Sequence, residues 1–497
     1  MKILYLTQSS SLDFFYDLHK NSSSFSNGAY VVTDPDYYKS FLARNPNFEK
    51  NNKNIFKEWK LNPSRERLDV DFLNKIEKQY FNSPILKSAK IDRRLVGGLK
   101  STFIQNKKNV FSDEELMKNI QLSFKEISNF IDQYKPDLII GFICVTLIEY
   151  ITFHIAKKKK IEYLNLKPSR IKNRFFVVED IFDPPKDLVE DFSLNIDDPK
   201  TEKHASEIIQ ELKKNFSYEG VIPVRKKDKL NEYLKYSNIA SYFMKKRNPL
   251  FKIRKYLINI FKNNYLSTVY YWRMKRMYYA YSSFKYFKNL SQKQNKNYIL
   301  FPLHKEPEVQ LLLHGYKYTN QIDFIKNIAK NLPSDTTLLV KEHPMAIGYR
   351  PKSYYQEINN IENVQIVGPL ENLSEIIKNA KMLITISGTS AFEAILRKIP
   401  VIHFGDLPFE VLNDNMIKKV DNFENLKDSY HLLLKNYQYN EPEIVKYIQS
   451  CIRKSVPLDF YSLFLKKAEI RISDRKVELE KQKQLSYLES YISCRFK

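Results

Sequence analysis

The chain has 497 residues, too many for one ordinary core, so two domains with connecting helices are expected. A hydrophobic fraction of 43% with 14% aromatics is that of a globular protein, and 28% charged residues with a negative mean hydropathy argue against an integral membrane protein. The three cysteines, Cys144, Cys451 and Cys494, show no CxxC or Cys/His spacing, which speaks against a disulfide framework or structural zinc and fits a reducing cytoplasm.

The first apolar run, "KILYL", has strand length and is too short for the apolar region of an export signal. At 69–71 the run "DVD" has the form of a metal-binding Asp-x-Asp. It opens the helix-like "FLNKIEKQYF", however, so helix-start carboxylates explain it and no metal site is expected. Residues 138–156 are apolar enough to suggest a membrane span, but Glu149 would then sit near mid-bilayer at about 2.5 to 3.5 kcal/mol. A βαβ unit over 136–166 accounts for the same residues: strand "PDLIIGF" with Gly141 at its exit, a helix over 145–157, then strand "IEYLNL". The proline and aspartate density of 181–202 predicts a loop.

Between Glu232 and Glu306 there is no acidic residue, while sixteen Lys and Arg fall there, two thirds of the net charge of +24. Aromatics are interleaved, as in "YYWRMKRMYYAYSSFKYFKN", offering cations for phosphates and rings for a lipid headgroup boundary or for sugars. The alternatives are a solvated helical linker or an RNA-binding patch, although no RRM, KH or zinc-knuckle pattern supports the latter.

From 298 the alternation is clean: strand "YILFP", helix 317–331, strand "TTLLV", helix 352–359, strand "VQIV", helix 372–379, strand "MLITI", helix 389–397, strand "PVIHF". This predicts a parallel sheet covered on both faces, and ligands bind such sheets outside the carboxyl ends of the strands. Three unusual loops emerge on that edge. After "YILFP" come His304, Lys305, Glu306 and Glu308; after "TLLV" come Lys341, Glu342, His343 and Pro344; after "MLITI" come Ser387, Gly388, Thr389 and Ser390, followed by Glu393. "SGTS" opening a helix has the form of an anion cradle or of a plain N-cap. His343 and Lys341 are suited to a phosphate, with Pro344 stiffening the loop. Glu306 and Glu308 are candidates for a general base or a nucleophile at an anomeric carbon, or members of a solvated loop.

The runs "ILFPLHKEPE", "LLVKEHP" and "ITISGTSAFEAILRKIPVIHFGD" resemble the bacterial capsule polysaccharide biosynthesis proteins, which include Kdo transferases. The resemblance covers about 293–410, and more faintly "LNLKPSRIKNRFFVVED" at 164–180. It implies a GT-B fold, a nucleotide-sugar donor held by the second domain, and often a CMP-activated ulosonic acid. Bacterial sialyltransferases are similar in holding CMP with a His-Pro pair and a hydroxyl-rich loop, matching here His343, Pro344, Ser387, Thr389 and Ser390. Where the family's Kdo transferases carry a Gly-Gln pair and acidic residues, this chain has Leu303, His304, Glu306, Pro307 and Glu308, so the carboxylate role falls to Glu308.

The expectation is therefore an α/β protein of GT-B type: an acceptor domain at 1–235, a basic aromatic connector at 236–292, a nucleotide-sugar domain at 293–430, and C-terminal helices at 431–497. The expected activity is metal-independent glycosyl transfer without a cofactor, from a donor that is CMP-linked rather than UDP-linked, to a surface glycan or lipid-linked acceptor. Catalysis falls to Glu308, Glu306 and His343, and donor binding to His304, Lys341, His343, Pro344, Ser387, Gly388, Thr389, Ser390 and Glu393. The acceptor is expected near residues 7–11 and the Gly141 loop. The connector is expected to hold the enzyme at an anionic membrane on the cytoplasmic side, with no nucleic-acid partner. The alternatives are a UDP-sugar 2-epimerase of the same architecture or a non-enzymatic membrane- or RNA-associated assembly factor.

Overall fold

A computed structural model describes residues 1–81, 83–97, 111–216, 271–288, 297–464 and 474–495. Of the expected connector, therefore, only 271–288 lies within the described residues. Two sheets organise the chain. The first contains β1 (Lys2–Thr7), β2 (Asn27–Val32), β3 (Ile55–Lys57), β4 (Leu138–Phe142), β5 (Glu162–Pro168) and β6 (Arg174–Val178). The second contains β7 (Tyr298–Pro302), β8 (Thr337–Lys341), β9 (Val364–Val367), β10 (Met382–Thr385), β11 (Val401–His403) and β12 (Ile417–Lys419).

In the second sheet the spatial order is β12-β11-β10-β7-β8-β9, with every pairing parallel. Numbered within the domain this is the doubly wound order 3-2-1-4-5-6, whose direction reverses between β7 and β10. The first sheet repeats that logic in β3-β2-β1-β4-β5, all parallel, with the reversal between β1 and β4. Strand β6 returns antiparallel on β5, and β13 (Ser455–Pro457), from the far end of the chain, pairs antiparallel with β6. The C-terminal segment thus crosses back to the first domain and is not helical throughout. Its helix Asp474–Arg495 places Leu485, Leu488 and Ile492 in the core with Ile3, Tyr5 and Leu164.

The segment considered as a membrane span forms β4 and the helix Leu147–Lys159, in which ten consecutive residues from Leu147 to Ala156 are buried. Glu149 is the reciprocal partner of Thr146 in the capping box that starts this helix, so its carboxylate serves the helix N-terminus. No helix among the described residues is long and apolar enough to cross a membrane. Asp69 of "DVD" accepts from Phe72 N at 2.9 Å and caps Val70–Tyr80.

The expected loop at 181–202 is corrected: a helix, Lys186–Ser193, lies inside it, and Pro199 begins a second, Pro199–Lys214. Leu188, Ala205 and Ile209 from these helices share one core with Leu300, Leu383 and Val401 of the second sheet. The two domains are therefore joined through apolar packing, and the loop beyond the carboxyl end of β7 packs on the first domain. Leu313, beyond β7, is buried in the first domain's core, and Lys87 of the first domain lies 3.7 Å above the Tyr316 ring. This is the GT-B arrangement, two Rossmann-like domains with their strand ends turned toward each other.

Candidate active site

The second domain's reversal point lies between β7 and β10, and the loops leaving those strands touch. His304 Nε2 lies 3.3 Å from Thr385 Oγ1, and a Cβ placed on Gly388 would stand 3.3 Å from His304 Cε1. Gly388 also has φ +108, a conformation that strains an L side chain, so the residue is required twice over. Burial, reinforced by His343 and Arg350 nearby, pushes His304 down to about 3, and the ring is neutral at physiological pH.

The loop after β8 joins them from the side. Lys341 is buried and donates to Glu342 O at 2.9 Å. His343 caps the short turn Pro344–Ala346, its Nδ1 accepting from Met345 N at 3.1 Å. With Nδ1 as the acceptor, Nε2 is left as the ring's donor. His343 and Pro344 are half-buried, as are Gly388, Thr389 and Ser390 across from them.

What holds the loops together was not read from the sequence. Glu342, fully buried, accepts from Tyr355 Oη at 2.6 Å and forms an ion pair with the equally buried Arg350. The other arm of the Arg350 guanidinium donates to His304 O, and Gln321 pairs with the same backbone, accepting from His304 N at 2.7 Å and donating to His304 O at 3.0 Å. One arginine thereby ties the β7 and β8 loops. A desolvated pair of this kind is worth little over an apolar substitute, yet losing one member leaves the other charge stranded.

The two candidate carboxylates separate. Glu306 belongs to this inner network, bonded to Gln321 and 3.9 Å from Arg350, and burial lifts it to about 7. Glu308 faces the other domain. Burial raises it, while Lys305 of its own loop and Arg170 and Arg93 of the first domain pull the opposite way. Nearby, Asp183 and Lys167 form a buried pair at 2.6 Å, and His314 Nε2 stands 3.6 Å from Asp183. The surroundings of Glu308, with Lys305, Arg170 and Arg93, are predominantly cationic.

Two expected donor ligands are used inside the fold. The Ser387 hydroxyl is fully buried, 2.8 Å from Gln310 Oε1 and 2.9 Å from Asp406 O, which fixes the β10 loop and turns it away from the crevice. Glu393 is buried against Arg397 at 3.2 Å and accepts from Ser374. The helix that "SGTS" opens, Ser390–Leu396, is under two turns long, and Thr389 makes no side-chain cap. In the first domain, Gln8 and the 143–146 loop meet at the other reversal point. Gln8 Nε2 donates to Ile143 O at 3.0 Å and to Glu149 Oε1 at 3.1 Å, closing that crevice with the chain's own groups. Ser9 and Ser10 remain at its surface.

Against known proteins, the sequence model of a family described as "Capsule polysaccharide biosynthesis protein" matches residues 172–442, more than half of the chain. No protein of curated function matches. Among solved structures, the chain is similar to two Kdo transferases of Thermosulfurimonas dismutans KpsC. The β-Kdo 2,4-transferase shares 11% identity over 63% of this chain and 79% of its own, with a TM-score of 0.36. The β-Kdo 2,7-transferase shares 10% over 73% and 89%, also at 0.36. The UDP-GlcNAc 2-epimerase of Methanocaldococcus jannaschii shares 13% over 91% and 99%, with a TM-score of 0.25. Likenesses of this strength add nothing to a functional reading, which rests on the family match and on the geometry above.

Proposed function

The chain belongs to the capsule polysaccharide biosynthesis protein family, and from that premise and the site geometry we propose that it is a glycosyltransferase of surface-glycan assembly. It takes a nucleotide-activated sugar, CMP-linked in preference to UDP-linked and of the ulosonic acid class to which Kdo belongs, and transfers it to a glycan or lipid-linked acceptor. It works on the cytoplasmic side, against an anionic membrane. One observation carries the reading: His304 and Gly388, from two separate loops, meet at the reversal point of the second sheet with His343 of a third loop close by, and Glu308 of the His304 loop stands among Lys305 and the first domain's Arg170 and Arg93.

The donor phosphate lies against His343 Nε2–H and the backbone of 388–390, with Lys341 supplying charge beneath. Thr389 and Ser390 offer hydroxyls to the nucleotide, while Ser387 and Glu393 set the shape of that loop. As the bond between the anomeric carbon and the phosphate oxygen breaks, the nucleoside monophosphate leaves with both electrons, and these donors stabilise the charge it gains. Glu308 takes the proton of the acceptor hydroxyl as that oxygen bonds to the anomeric carbon. Glu306, committed to the Arg350 network, positions the loop from which Glu308 projects.

The test is a thermal-shift panel of CMP, UDP, GDP and their sugars, followed by transfer from the stabilising donor. A ligand present at about a hundred times its dissociation constant raises stability by about 2.7 kcal/mol. CMP is expected to stabilise and UDP to do so less. Conversion of UDP-GlcNAc with no acceptor present would replace the transferase reading with an epimerase one.

A further inference from the structure

The described end of the basic segment has two faces with different tasks. The helix Tyr271–Ser283 turns Ala280 and Ser283 inward, and Phe287 just beyond it packs on Tyr355 at 5.1 Å between ring centroids. Lys288 N donates to Ile366 O at 2.9 Å, adding a bridge to the edge of the second sheet beside β9. The outward face carries Tyr278 and Tyr281, 61% and 85% exposed, and Phe284, 42% exposed, opens the short turn that follows. A spacing of three residues keeps Tyr278 and Tyr281 on one side of the helix, and Lys285 and Lys288 are exposed just beyond it.

Aromatic rings standing in water beside the exposed Lys285 and Lys288 are unlike a solvated linker, whose exposed face would be polar. A second copy of the chain would bring the same positive charge to the same surface. An anionic bilayer supplies both the opposite charge and a headgroup layer into which such rings partition.

This helix also touches the site. Arg276 O would be 2.5 Å from a Cβ at Gly348, where φ is +75. The Arg276 Nε donates to Ile347 O at 3.4 Å, and its guanidinium lies 4.0 Å above the Tyr349 ring. Tyr349 is followed by Arg350, the residue that ties the two donor loops, and exposed Met345 lies on the same loop. We propose that the Tyr278, Tyr281 and Phe284 face is the seat of this protein on an anionic bilayer, carrying the donor loop 343–350 at the membrane surface. The seat rests on the lipid-linked acceptor reading above only for its purpose, since lipid binding needs no turnover.

Flotation of the full chain with vesicles of phosphatidylcholine, and of phosphatidylcholine mixed with phosphatidylglycerol, tests it. The protein is expected to float with the anionic vesicles only and to be released by high salt. The triple variant Tyr278→Ser, Tyr281→Ser, Phe284→Ser is expected to lower the bound fraction by about tenfold or more. The double variant Tyr278→Ser, Tyr281→Ser, whose rings are 61% and 85% exposed, should unfold thermally like the parent and still lose most of that binding. Lys285→Gln and Lys288→Gln should each weaken binding by about fivefold, the factor corresponding to about 1 kcal/mol per cation. Failure of the parent to float, flotation of the triple variant like the parent, or equal binding to neutral vesicles overturns the proposal, as does binding to RNA with none to vesicles. A protein that floats but transfers no sugar would overturn the transferase reading and leave this one standing; a transferase that does not float would do the reverse.

Discussion

The two sheets share a strand order, and each has a point where that order reverses, but the two points are finished differently. In the first, Gln8 bridges to Ile143 and Glu149 and fills the gap with internal hydrogen bonds. In the second, the bridging is moved one layer back, to Arg350, Glu342 and Gln321, and His343 and Gly388 are left half-buried beside the buried His304. Topology provides a candidate place for a ligand twice, and the residues at the strand ends distinguish the two.

That contrast breaks most readily at the carboxylates. Glu308→Gln is expected to lower kcat by about 10²- to 10⁴-fold with KM for the donor little changed, the range for loss of a positioned base. Glu306→Gln should act mainly through stability, since its carboxyl bonds Gln321 and stands near Arg350. Equal losses of kcat at both positions would erase the division between them. Because burial raises Glu308 above the ordinary 4.5, activity should appear as pH rises through that elevated value, and the acidic limb should vanish in Glu308→Gln.

The supporting layer comes next. Arg350→Met strands the buried Glu342 carboxylate and is expected to cost about 3 to 5 kcal/mol in thermal or denaturant unfolding, whereas the double variant with Glu342→Met recovers most of it. Gly388→Ala, strained at φ +108 and pressed on His304, should cost about 1 to 3 kcal/mol and weaken donor binding. In the first crevice, Gln8→Ala should cost only about 0.5 to 1.5 kcal/mol and leave donor binding as it was.

The smallest effect is one of pH. Burial alone would raise Asp183, but Lys167, His314 and Arg170 outweigh it and hold the carboxyl below the ordinary 3.8. The stability it contributes is therefore complete above that value and is lost as pH falls through the depressed one. An Asp183→Asn variant should show a flatter acid limb in unfolding than the parent.

The second sheet was legible because its strands are buried on both faces and read as unbroken apolar runs ending in Gly, Pro or charge. The stretch "YILFP" became β7 with all five residues buried. Strands β3, β12 and β13 have three residues each and, unlike the equally short but fully buried β11, include residues that are not buried, so no apolar run marks them, and β2 was hidden in an asparagine-rich stretch. Helix Lys186–Ser193 was obscured by the prolines before it and the aspartates around it. At the site, His304, His343 and Gly388 were legible because loops after parallel strands share an edge. Arg350 was not, since a lone arginine seven residues past His343 in a loop has no periodicity and its partner across the fold is set only by tertiary packing. Ser387 shows the converse: its place in the loop was legible, whereas the inward turn of its hydroxyl toward Gln310 and Asp406 was not.

Calorimetric titration of CMP into the parent, His343→Ala and Gln8→Ala proteins, each first shown by circular dichroism to be folded, tests the central claim most directly. The account predicts that the parent and Gln8→Ala bind alike and that His343→Ala loses at least about tenfold in affinity, the loss of a charge-assisted hydrogen bond of about 1.5 to 3 kcal/mol. Unchanged binding in His343→Ala, or loss of binding in Gln8→Ala alone, would contradict it and move the nucleotide to the other sheet.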